Sequence, residues 1–134
     1  MYWPGGYFDY YEGHASAATT ATGSHWILAE GALSVETYVL IANTSASPAT
    51  AALRLMLEGS GPGSDVVTQV TVPANGRVSV PMSRFVGPGV RFGVEVTEVT
   101  SPLSNALVVE GALYWNANGE VWAAGASIPA TRVP

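Results

Sequence analysis

The chain has 134 residues, 48% of them apolar and only 11% charged, with a formal net charge of −5 and five arginines as its sole basic side chains apart from two histidines. That length fits one domain with enough apolar residues for a core, and it excludes disorder of the chain as a whole. No basic face can be assembled for nucleic acid, no apolar run reaches the roughly 18 residues of a membrane-spanning helix, and the absence of cysteine removes disulfide and thiol chemistry. There is no signal peptide at Met1, so an export signal would lie outside these residues.

Period-2 alternation dominates, and no stretch carries a sustained helical stripe. The first run reads as a hairpin: Met1 to Trp3, a turn at Pro4-Gly5-Gly6, then Tyr7 to Glu12. A small-residue connector, Ala15 to Gly23, follows. Strands are then expected at His25 to Glu30, Glu36 to Ala42 and Ala51 to Leu57, where Arg54 faces away from Leu53 and Leu55. The Gly-rich stretch Gly59 to Asp65 reads as a flexible hairpin tip. Further strands are expected at Val66 to Val72, Arg77 to Met82, Phe92 to Val99, Ala106 to Trp115 and Glu120 to Ala126. Between the first two of these, Pro73-Ala74-Asn75-Gly76 is a strong hairpin signal, since Asn-Gly readily takes positive φ. About eight or nine short strands at this spacing predict an all-β, immunoglobulin-like antiparallel β-sandwich.

The opening hairpin is written twice. Met1, Tyr2 and Trp3 match Leu113, Tyr114 and Trp115 at an offset of 112, and Tyr11, Ala15 and Ser16 match Trp122, Ala126 and Ser127 at an offset of 111. A repeat of that length exceeds the solenoid periods, so the chain divides into residues 1–23, a hairpin and connector copied from the end of a neighbouring unit, and residues 24–134, one full sandwich.

Candidate sites are sparse. His14, His25 and Glu12 do not make the tight three- or four-ligand cluster that zinc needs, and the acidic residues are too scattered for calcium. No metal and no cofactor is expected. Glu30 and Glu110, each in apolar surroundings, could form the acid–base pair of a glycosidase. The reading preferred here makes them structural anchors that accept backbone N–H bonds or pair with Arg54, Arg77 or Arg91. No Ser-His-Asp arrangement, nucleophile elbow or phosphate loop is present, so no catalytic residue is assigned and no enzyme is expected. Asn43-Thr44-Ser45 is an N-glycosylation sequon, which makes Asn43 a candidate for modification.

The aromatic residues say more. Tyr2, Trp3, Tyr7, Phe8, Tyr10 and Tyr11 crowd the first 11 residues. An isolated hairpin is marginal in water and would expose a large apolar patch, so burial against an adjacent unit is their expected use. A ladder of rings that stacks on sugars is the alternative.

The strings WILAEG, ETYVLIANTS, VPANGRVSV and VVEGALYWN resemble a β-sandwich repeat of unknown function that occurs in tandem in large secreted or surface proteins of bacteria. The resemblance runs over nearly the whole chain and departs at Gly111, where that family more often has Arg. It implies an extracellular, non-catalytic module with no assigned catalytic residues. The expectation is therefore a structural subunit or repeat of a fibre, stalk or surface array. Its units would join head to tail through the aromatic hairpin, a heterologous contact that propagates as a filament. The expected partners are copies of itself or adjacent repeats, with glycans as the alternative and no nucleic acid.

Overall fold

A computed structural model describes residues 19–32, 36–101, 104–117 and 119–134. The expected first hairpin and residues 15–18 of its connector lie outside the described residues. Nine strands are found among those described: β1 (His25–Ala32), β2 (Glu36–Asn43), β3 (Ala49–Leu57), β4 (Val66–Val72), β5 (Arg77–Pro81), β6 (Arg91–Glu98), β7 (Leu107–Ala117), β8 (Glu120–Pro129) and β9 (Thr131–Arg132). A single 3-10 turn, Met82–Arg84, follows β5.

The strands form two antiparallel sheets, one in the order β4-β3-β6-β1-β9 and the other β5-β2-β7-β8. The all-β sandwich expected from the sequence is the fold observed. Alternation explains why. In β2 the inward set is Thr37, Val39, Ile41 and Asn43, in β3 it is Ala49, Ala51, Leu53 and Leu55, and in β6 it is Phe92, Val94, Val96 and Glu98. Each set has one sheet's apolar face, and the two faces cover each other, with Trp26, Leu28, Met82, Leu107 and Val109 completing the core.

The turns separate into two kinds. The Gly-rich tip connects β3 to β4 within one sheet, with Gly59 and Gly63 at positive φ, as the hairpin reading expects. The turn at residues 73–76 corrects that reading. Asn75 does take φ 47° and Gly76 N–H bonds to the Pro73 carbonyl at 3.2 Å. Yet β4 pairs with β3 and β5 pairs with β2, so this turn carries the chain from one sheet to the other. The turn chemistry was legible, but the pairing partner depended on which sheet edge stood open.

The incoming chain is built into the sandwich before β1 begins. Gly23 and Leu107 exchange both backbone hydrogen bonds, at 2.9 and 3.0 Å, and Ala21 packs against the core. Arg132 of β9 lies along Gly23 and donates from Nη1 to the Thr22 carbonyl at 3.0 Å.

Leu53 lies at the centre of β3 and is fully buried. Leu53→Ala should therefore lower the unfolding free energy by about 2–5 kcal/mol through lost burial and a residual cavity. Urea denaturation followed by circular dichroism checks this.

Candidate functional site

The two glutamates fall in different sheets. Glu30 belongs to β1, in the stretch between Leu28 and Gly31 where the pairing with β6 shifts register, and its side chain lies outside the described part. Glu110 lies inside the eleven-residue β7, opposite Leu40 of β2 and Pro129 of β8. Its neighbours Val109 and Gly111 are buried, so the half-buried Glu110 is on the sheet's outer face, directed away from the sheet that holds Glu30. Glu110 stands mid-strand, and the geometry does not bring the two carboxylates to one substrate.

Arg54, offered as a partner for these glutamates, is committed elsewhere. Its guanidinium meets Asp65 at 2.6 Å and Glu95 at 3.2 Å, and the other Glu95 oxygen lies 2.7 Å from His25 Nε2. These four side chains, from β1, β6, β3 and the loop before β4, make a polar rung across the outer face of the five-stranded sheet. Cross-strand register places them there: His25 pairs with Thr97 and so lies diagonally across from Glu95, and Arg54 stands directly opposite Glu95. The His25 hydrogen bond, with smaller help from Arg54, outweighs partial burial and holds the Glu95 carboxyl below the usual carboxylate range. Among the described residues no group of three His, Cys, Asp or Glu side chains is arranged to hold a metal.

Asn43 is a structural residue and not an exposed acceptor. It is 2% exposed, its Nδ2 donates to the Ser47 carbonyl at 2.8 Å and the Val72 carbonyl at 3.4 Å, and its Oδ1 accepts from the Ser45 N–H and hydroxyl. A glycan on that nitrogen would displace the bonds that hold the β2–β3 crossing.

The outer face of the four-stranded sheet carries the group that the sequence reading missed. Tyr38 and Leu40 of β2 lie beside Ala112 and Tyr114 of β7 in a second hydrophobic cluster, separate from the core. The Tyr38 and Tyr114 rings meet edge to face, with centroids 5.9 Å apart and planes at 77°. Burial raises both phenol pKa values, with further upward pushes from Glu36 on Tyr38 and from Tyr38 itself on Tyr114. The signal was present in ETYVLIA and GALYW, which are apolar on both strand faces, the pattern of a strand covered on two sides. The aromatic residues that were singled out, Tyr2, Trp3, Tyr7, Phe8, Tyr10 and Tyr11, lie outside the described residues.

No protein-family model matches the sequence, and no curated protein matches it. Solved structures do. A crystal structure of Thermotoga maritima 1070 is similar with a TM-score of 0.69 and 10% identity, over 82% of this chain and 94% of that one. The Anabaena sensory rhodopsin transducer is similar with a TM-score of 0.54 and 20% identity, over 68% of this chain and 97% of that one. At such identities the likeness is one of fold.

Two outcomes test this geometry. Asn43→Ala should lower the unfolding free energy by about 1–3 kcal/mol, because it removes the buried amide's bonds and leaves the Val72 carbonyl without that donor, as read in urea titration. The second concerns acid. A carboxyl whose folded pKa is depressed stabilises the fold above its unfolded pKa, and that stability is lost as pH falls through the folded value. Thermal melts from about pH 7 to about pH 2 should show this loss in the wild-type chain, and a shallower one in Glu95→Gln.

Proposed function

We propose that this chain is a structural, non-catalytic unit of an extracellular bacterial fibre, stalk or surface array, in which the aromatic end hairpin of one unit packs on a sheet of the next. One observation carries the reading. A hairpin rich in tyrosine and tryptophan is written both at the start of the chain and at its end, so the leading copy is surplus to the single sandwich that follows. The second copy occupies its place as the end of β7 and the start of β8.

A surplus aromatic hairpin needs a surface. Each large aromatic side chain, fully buried, contributes about 1.5–3 kcal/mol, so even four would outweigh much of the ordering cost of a junction. The low charge and the many Ser, Thr and Ala residues suit a surface protein whose solubility rests on hydroxyl groups. The similarity of the WILAEG, VPANGR and ALYWN strings to tandem bacterial surface repeats supports the same reading.

The competing reading is a glycan-binding adhesion module, and the same residues separate the two. Replacing Tyr7 and Tyr10 together by Ala should lower thermal stability or dissolve assembled species, seen by calorimetry and by light scattering after size exclusion, and leave retention on polysaccharide columns unchanged. If retention disappears while stability and assembly persist, the module binds glycans.

A further inference from the structure

The structure's outward apolar cluster is buried from the wrong side. Tyr38, Leu40, Ala112 and Tyr114 alternate with the core residues Val39, Ile41 and Val109, so they face away from the second sheet. All nine described strands belong to the two sheets, and none of them forms a third layer over this face. Yet Ala112 is 2% exposed and Tyr114 is 6% exposed. The opposite outer face, on the five-stranded sheet, carries the partly exposed polar rung of Arg54, Glu95 and His25, and Val67 beside Arg54 is 65% exposed there.

We propose that the outer face of the four-stranded sheet, centred on Tyr38, Leu40, Ala112 and Tyr114, is the seat of the aromatic hairpin Met1 to Ser16 of the same chain. This rests on the reading of that hairpin as a junction element, and it names the receiving surface. Chain length permits it. Gly23 is fixed beside Leu107 at the start of β7, and Tyr114 lies seven residues further along that strand, about 24 Å away at the rise of an antiparallel strand. The twelve residues from Tyr11 to Gly23 can span about 40 Å when extended. Composition matches as well, since the hairpin brings six aromatic rings to a seat whose own centre is an edge-to-face tyrosine pair.

In a tandem array the same contact would join units. There the leading hairpin would be the end of the preceding unit, and seating it on the following sandwich would fix two neighbours together without a free linker.

Nitration of Tyr114 by tetranitromethane, read by mass spectrometry, tests the assignment. Three chains are compared: the full chain, Leu40→Arg, and a chain lacking Met1 to Ser16, each checked for its strand signal by circular dichroism. Tyr114 should nitrate slowly in the full chain and at least about tenfold faster in both variants, with a protection independent of protein concentration. Equal protection in the truncated chain overturns the proposal. Protection that falls on dilution, together with the mass of a dimer, also overturns it and assigns the seat to a second copy. If truncation abolishes the strand signal, Leu40→Arg decides alone, and unchanged slow nitration there overturns the proposal. The junction reading stands separately: it fails if Tyr7→Ala with Tyr10→Ala alters neither stability nor assembly, whereas loss of stability there with Leu40→Arg unaffected means that the hairpin seats on another surface.

Discussion

Two sheets, one presenting Leu53, Leu55, Val94 and Val96 and the other Val39, Ile41 and Val109, have to meet face to face, because that contact alone removes both apolar surfaces from water. The whole arrangement follows from the period of the strand. Every second side chain goes inward, so the residues between them are left for the two outer faces, and what those faces hold decides what the molecule can do.

The outer faces differ in kind. On the five-stranded sheet, His25, Glu95, Arg54 and Asp65 are linked side chain to side chain in a rung that joins β1, β6, β3 and the loop before β4. Such a rung favours correct register and is satisfied within the domain, at the modest worth of partly exposed ion pairs. On the four-stranded sheet the corresponding positions are Tyr38, Leu40, Ala112 and Tyr114, a hydrophobic cluster separate from the core. That asymmetry underlies the seat proposed for the leading segment.

Buried polar groups hold the ends of the sandwich. Asn43 ties the β2–β3 crossing to the carbonyls of Ser47 and Val72, and so links the edge of one sheet to a strand of the other. At the same end, Ser104 donates to the buried Glu98 at 2.6 Å, and the Glu98 N–H bonds to the Ser24 carbonyl. Trp26 adds a third tie through Nε1 to the Gly23 carbonyl at 3.2 Å. Each of these groups would be costly to leave without a partner, so they confine the crossings to one geometry.

Local pattern determined which segments are strands, which residues face the core and where the chain turns, because alternation and turn chemistry act over two to six residues and need no distant partner. ETYVLIA and VVEGALYWN even carried the sign of a doubly covered strand. What lay beyond local reach was pairing across the sheets. Asn75-Gly76 guarantees a tight turn, yet whether β5 returns beside β4 or crosses to β2 is decided by which edge is open once all strands have packed. The same holds for single side chains. A sequon reads as an acceptor until the fold buries Asn43, Arg54 could have answered any glutamate until β6 set Glu95 opposite it, and Glu30 and Glu110 look like a pair until they are assigned to separate sheets. Sequence specifies each strand's two faces, and only the stacking of sheets determines which face meets which.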